Sequence, residues 1–484
     1  MKKFMLIIIL FVAASTKLIY GQYNSVHQFD SENYKKYSEH ASIVKNSLKQ
    51  NLSASKLNKL VFGYLPYWEY HNGTHHNIRY DLLTHLAVFS FEADSLGNLK
   101  DPYGWPWSDV ITKSKANNVK LILTVTNFEG NSIHSLFTNR AHRTNLFSNI
   151  VQRVKQYGFN GVNIDFENVN EADRNSVISN FFVELRNYLV LQNLNLEISF
   201  ASPIINWGGW DFSMIAKNCD HIFIMGYDFY GSWSTTTGPS APLSGGNYNL
   251  TNSLSFDYSS VIQANPEKLI LGVPYYGNYW RTKSSNPYSA ATSSSIIVYR
   301  DVVKNYNNKE LLWDYFSNTS WIRWQDTTWN QIWFDNEASL SMKYDLAISY
   351  KIGGVGIWAL GYDDGRTELW KLIESKFAKS SSTEKNYLIP TSTVLEQNYP
   401  NPFNSTTVIR FQLSAFCHVS LKVYDVLGRE IAVLVDEFKQ AGIHSTPFVL
   451  SSTFSSGVYL YRLQVYAHGR GGSYSETKKM VLLR

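Results

Sequence analysis

Asn163, Asp165 and Glu167 stand two apart in the stretch "GFNGVNIDFENVN", residues 158–170. Apolar Val162, Ile164 and Phe166 alternate with them. Successive side chains of a strand point to opposite faces, so this run has one apolar face and one face bearing an amide and two carboxyls. Burying neighbouring acids is costly unless they are hydrogen-bonded or share a proton. A carboxyl kept protonated near neutral pH by a neighbouring carboxylate is a general acid. On the strand alone, a polar cluster plugging a barrel fits as well as a catalytic pair.

Such a strand needs an architecture that buries its apolar face and opens its polar one. Eight strand-like runs, at 60–64, 85–91, 119–126, 160–167, 194–201, 220–228, 268–276 and 353–360, alternate with helical segments. That alternation is the signature of repeated βα units and a parallel sheet. In 144–157, Leu146, Ile150, Val151, Val154 and Tyr157 share a helical face, and Gly158 ends the helix. After the carboxylate strand, Asn170 is expected to cap a helix striped with Val177, Ile178, Phe181, Phe182, Leu185 and Leu189. Eight regular units favour closure over a doubly wound open sheet. The fold class is therefore α/β: a (β/α)8 TIM barrel with an α+β insertion between strands seven and eight, followed by a small all-β sandwich. In a barrel the apolar face meets the helices and the polar face enters the lumen. Glu167 comes last, at the C-terminal rim, where barrel enzymes carry their chemistry.

The insertion, about 278–336, holds Trp280, Trp313, Trp321, Trp324, Trp329 and Trp333, which are expected to form its own core. Residues 1–21 read as a secretory signal, with Lys2 and Lys3 before an apolar run from Phe4 to Ala14, too short to span a membrane. Residues 22–58 are a polar leader or short helical preface, 59–378 the barrel, 379–394 a Ser/Thr/Lys-rich linker and 395–484 the sandwich. Among the 484 residues, 44% are hydrophobic, 17% charged and 15% aromatic, which is a globular composition. The net charge of +5 is mild, and no basic run carries interleaved aromatics, so nucleic acid is not an expected partner. Cys219 and Cys417 are far apart, and no metal or nucleotide motif is present, so no cofactor is expected. No later stretch reaches the length of a transmembrane helix, so the mature protein is expected to lack one.

The run "NGVNIDFE" (160–167) resembles the DxxDxDxE signature of glycoside hydrolase family 18, the chitinase family, with Asn160 and Asn163 in place of its first two acids. Four further segments resemble the family in the right order: "VFGYLPYW" (61–68), "IMGYDFYGSW" (224–233), "FDNEASLSMKYDLA" (334–347) and "GGVGIWALGYDD" (353–364). Asn163, and "LTVTNFEG" (123–130) without a Gly-Gly pair, look more like the branch of spore-cortex and peptidoglycan N-acetylglucosaminidases. The resemblance implies retaining, substrate-assisted hydrolysis without a protein nucleophile. Carried over, Glu167 is the general acid/base, Asp165 orients the acetamido N–H, and Tyr227 donates to the acetamido carbonyl. Asp228 and Met225 line the sugar site with Asn163, Trp358 forms its floor, and Tyr64 supports Asp165 or the acetamido methyl. Asn163 cannot share a proton, so Asp165 is expected to stay ionised and turned toward Glu167.

The tail, from "LEQNYPNPFNSTTVIRF" (395–411) to "KKMVLLR" (478–484), resembles the C-terminal sorting domain of type IX secretion. The resemblances together imply an exported enzyme cleaving β-1,4 bonds in N-acetylglucosamine-containing glycan, chitin or chitooligosaccharides. Peptidoglycan with the same mechanism and a non-catalytic glycan-binding protein are the alternatives. The expected partners are that glycan and the type IX secretion machinery. The expected location is secreted or on the outer cell surface.

Overall fold

The structure is a computed structural model describing residues 25–35, 57–379, 392–404, 406–414, 417–439, 442–449, 455–467 and 474–483. The signal segment and most of the linker lie outside the described residues. A short helix, α1 (Val26–Lys35), precedes the barrel. Eight parallel strands follow: β1 (Leu60–Pro66), β2 (His85–Ala93), β4 (Lys120–Asn127), β5 (Gly161–Phe166), β6 (Glu197–Pro203), β7 (His221–Met225), β8 (Leu269–Pro274) and β14 (Gly354–Trp358). They are ordered β1-β14-β8-β7-β6-β5-β4-β2, and β1 pairs with β2 to close the ring. A two-residue strand, β3 (Leu99–Lys100), pairs antiparallel with the end of β2. All eight runs read from the sequence are strands of this closed barrel.

The outer helices are α2 (Tyr67–His71), α3 (Ser108–Ala116), α4 (Gly130–Thr138), α5 (Arg140–Tyr157), α6 (Ser176–Leu191), α7 (Phe212–Asn218), α8 (Leu250–Phe256), α9 (Ser259–Ala264), α10 (Tyr299–Asn305), α11 (Glu337–Ser349) and α12 (Thr367–Phe377). The Asn139 side chain accepts from Ala141 and His142 to start α5, and Gly158, at φ 74°, ends it. Asn170 does not cap α6. Its amide donates to Gly130 O, a short turn covers Glu171–Asp173, and α6 begins only at Ser176. The polar residues between are held by tertiary bonds: Asp173 pairs with His134, and Arg174 donates to Val169 O and Gly208 O. The apolar stripe of α6 is otherwise as expected, except that Val177 is only half-buried.

The two faces of β5 part as its alternation requires. The Phe166 ring meets Phe137 of α4 and Phe181 of α6 outside the barrel, at 5.9 and 6.0 Å. Inside, the lumen is filled by aromatic rings. Phe223 packs against Phe62 and Tyr64 at 5.5 and 4.9 Å. It fits because β8 and β14 present Gly272 and Gly356: a Cβ on Gly356 would lie 2.0 Å from the Phe223 ring.

The insertion between β8 and α11 is an antiparallel sheet, β10-β9-β13-β12-β11, with α10. Its strands are β9 (Tyr276–Thr282), β10 (Ala291–Val298), β11 (Leu311–Asp314), β12 (Thr319–Gln325) and β13 (Trp329–Phe334). Trp280, Trp321 and Trp333 are its buried core, with Trp321 and Trp333 stacked at 5.1 Å. Trp313, Trp324 and Trp329 are half-buried. Arg300 of α10 binds Glu69 of α2 through two nitrogens at 2.6 and 2.9 Å, and Thr74 donates to the same carboxylate. Glu69 is fully buried, so this bidentate pair must stay intact to remain tolerable.

The C-terminal unit is all-β, as expected, with two antiparallel sheets, β15-β16-β19 and β18-β17-β20-β21. Its strands are β15 (Val394–Leu395), β16 (Thr406–Leu413), β17 (Cys417–Tyr424), β18 (Glu430–Lys439), β19 (Gly442–Val449), β20 (Gly457–Ala467) and β21 (Tyr474–Leu482). Alternate residues such as Ile409, Phe411, Val419 and Leu421 supply one apolar core. Among the described residues no helix is long and apolar enough to cross a membrane.

The Phe223 contact gives a stability prediction. Gly356→Ala is expected to lower barrel stability by about 1–3 kcal/mol, the usual range for overpacking. The measurement is the urea midpoint of unfolding, which falls while the slope stays unchanged.

Candidate functional site

The polar face of β5 opens at the C-terminal rim. Asn163 is deepest, and both ends of its amide are used: Tyr64 OH donates to Oδ1 and Nδ2 donates to Ser199 Oγ, each at 2.9 Å. Tyr64, expected to support Asp165 or the acetamido methyl, places its hydroxyl on Asn163, the deeper rung of the same face. Asp165 is fully buried on the next rung, and Glu167 follows the strand's last residue. The Glu167 N–H donates to Asn127 O at the end of β4, fixing the carboxyl at the mouth.

The other expected residues converge on this mouth. Met225 ends β7, and its carbonyl accepts from Tyr227 N–H at 2.8 Å. Asp228 adopts φ 64°, and Tyr276 OH donates to its carboxylate. Trp358 ends β14 and is fully buried.

One ring joins these groups, and it comes from the leader. His27 of α1 lies over Trp358, with ring centroids 3.7 Å apart and planes 27° apart. Its Nδ1 is 2.8 Å from Asp165 Oδ2, its Nε2 is 2.7 Å from Tyr227 OH, and its Nδ1 is 3.5 Å from Glu167 Oε1. With the proton on Nδ1, the ring donates to Asp165 and accepts from Tyr227. The preceding backbone N–H, of Val26, donates to Asp228 Oδ2 at 2.7 Å. Asp30, one turn on, accepts from Tyr362 OH at 2.6 Å and from Trp358 Nε1 at 3.3 Å. Tyr34 stacks on Trp68 at 4.8 Å. The sequence reading missed His27, Asp30, Tyr34, Trp68, Tyr276 and Tyr362. A signal was present for the leader: residues 27, 30 and 34 share one helical face.

Burial governs the titration of this cluster. Together with the neighbouring Asp165 carboxylate, it pushes the Glu167 carboxyl up to about 8. It holds the His27 imidazole down at about 4, so the ring is neutral at pH 7. Burial also pushes Asp165 well above the usual carboxylate range. Asp165 Oδ1 has no hydrogen-bond partner among the described residues. Desolvation of Asp165 is not offset by a cation in this cleft, which works against its charged form.

Among the described residues, three groups of side chains have donor atoms close enough to hold a metal ion: His27, Asp165 and Glu167; His75, His76 and Asp109; and His85, Glu197 and His221. In the first, the imidazole bridges two protein groups. In the second, Lys113 Nζ lies 3.5 Å from His76 Nδ1, and in the third Lys120 Nζ bonds Glu197. A lysine cation at the ligand atoms opposes a metal cation, so neither of these two clusters has the chemistry of a divalent site.

The Glu167 shift sets a pH test. A raised folded-state pKa means stability is fully present below about 4.5, the unfolded value, and is lost as pH rises toward about 8. Glu167→Gln removes this loss. The melting temperature of the variant relative to the parent is expected to be higher at pH 9 than at pH 4, read by calorimetry. An unchanged difference would contradict the buried-acid assignment.

The description "Glycosyl hydrolases family 18" matches residues 60–363, and "Secretion system C-terminal sorting domain" matches residues 397–482. A Bacillus subtilis protein provisionally named a sporulation-specific glycosylase is 29% identical over 253 residues, 50% of this chain and 57% of that protein. The chain thus spans little more than half the length of that relative. The cortical fragment-lytic enzyme of Bacillus subtilis is 23% identical over 311 residues, 61% of this chain and 68% of the enzyme. The Ostrinia furnacalis Group IV chitinase, solved with allosamidin, has the same fold at a TM-score of 0.59 and 22% identity, covering 66% of this chain and 98% of that one.

Proposed function

The chain belongs to glycosyl hydrolase family 18, and we propose from that premise that it cleaves β-1,4 bonds next to N-acetylglucosamine in chitin or chitooligosaccharides. The observation that carries this reading is the convergence of Asp165, Tyr227 and Glu167 on one flat ring over Trp358. An acetamido sugar offers the same pattern: an N–H for Asp165, a carbonyl oxygen near Tyr227, and a flat apolar face for Trp358. Glu167, beside them, suits the glycosidic oxygen.

The reaction then proceeds in two steps. Glu167 gives its proton to the leaving oxygen as the C1–O bond breaks, while the substrate's acetamido oxygen bonds to C1. Asp165 accepts from the acetamido N–H and offsets the positive charge of the oxazolinium ring. Tyr227 holds the acetamido oxygen in line before attack. The Glu167 carboxylate next takes a proton from water, whose oxygen attacks C1 and reopens the ring. The two displacements retain configuration at C1. Asn163 acts below this set, its amide fixed by Tyr64 and Ser199. Asp228 and Met225 border the sugar pocket.

Peptidoglycan is the second reading. It is favoured by the similarity to the cortical fragment-lytic enzyme and by the amide at Asn163. The C-terminal match indicates type IX secretion and an extracellular or cell-surface location. Export through an N-terminal signal peptide is part of this proposal.

Glu167→Gln is expected to lower kcat on chitotetraose about 10²–10⁴-fold, the usual range for a general acid, with KM little changed. Parental kcat in that variant would remove Glu167 from the acid role. Cello-oligosaccharides, which lack the 2-acetamido group, are expected to give no turnover in the same assay. Their hydrolysis would contradict substrate assistance. A parallel assay on purified peptidoglycan decides between the two glycans.

A further inference from the structure

We infer that the leader helix α1 is a built-in inhibitor of the cleft, seating His27 where the acetamido sugar would lie, so that glycan enters only when the helix leaves. The inference rests on the site reading above and concerns its regulation. Its basis is competition for the same atoms. Asp165 Oδ2, Tyr227 OH, Asp228 Oδ2 and the face of Trp358 each bind α1, through His27 and the Val26 N–H. A sugar bound to those groups excludes the helix, and the helix excludes the sugar.

The chemistry of the contacts separates a plug from an ordinary piece of core. Of the five buried residues of α1, Val26 alone is apolar; His27, Gln28, Asp30 and Ser31 are polar. Their partners are polar groups of the cleft: Asn168 donates to Gln28, and Tyr362 and Trp358 donate to Asp30. Lys35 pairs with Glu92 at 3.2 Å at the far end. The helix therefore lies along the cleft as a ligand would, matched group by group. A ten-residue helix is marginal alone in water, so α1 keeps its form only while docked. It also precedes the barrel in sequence, so its departure breaks no strand of the sheet.

The test compares the full chain with a His27→Ala/Asp30→Ala variant, which leaves every barrel residue in place. On chitotetraose, kcat/KM is expected to rise about tenfold or more, because apparent affinity scales with the open fraction. Calorimetric titration of chitotetraose, with Glu167→Gln added to both chains, reads occupancy without turnover. Tighter binding by the His27/Asp30 variant supports the plug, even if neither Glu167-intact chain hydrolyses the glycan; that result would remove the hydrolase reading alone. Equal affinities, or no binding by either chain, overturn the plug. Amide hydrogen exchange of residues 26–35 in the full chain gives an independent reading. Protection that is lost as chitotetraose saturates supports competition, and amides unprotected from the start overturn it.

Discussion

The rest of the site depends on placing ionisable groups where water is scarce. β5 can bring Asp165 and Glu167 to the barrel mouth only because its other face is bought off by Phe137 and Phe181 on the outer helices. Desolvation then decides what these acids do. It lifts both carboxyls and lowers the one imidazole beside them, so the closed cleft holds its groups near neutrality.

The alternation of β5 was legible because strand geometry has period two and a closed barrel offers only an inside and an outside. The glycine exit of α5 and the apolar stripes of α5 and α6 were legible for the same local reason. The start of α6 was not. Asn170 has the right side chain for a cap, but Asp173 and Arg174 are bound by distant groups, and those bonds outweigh the local preference. Tyr227 and Trp358 carry no periodic signal that separates them from barrel-filling aromatics, and motif resemblance alone picked them out.

The leader was hardest to read. Its helix is short and polar, so neither length nor hydrophobic pattern announces it, and its energy comes from partners more than 130 residues away in sequence, such as Asp165 and Tyr227. The hydroxyl partner of Tyr64 was not legible either. Its position on β1 was clear, but register across three strands decides whether the hydroxyl meets Asn163 or Asp165, and single-strand patterns do not carry that information.

The buried pair between Glu69 and Arg300 has a consequence for how this fold can vary. Each partner sits in a different loop region, one after β1 and one in the insertion. Exchanging the insertion for one that lacks the arginine would leave the buried Glu69 carboxylate without its cation, whereas Arg300, partly exposed and also bonded to Gly361 O, would tolerate the loss of Glu69 better. An exchange of the insertion between barrels would therefore have to carry the residue after β1 along with it, although about 230 residues of sequence separate the two partners.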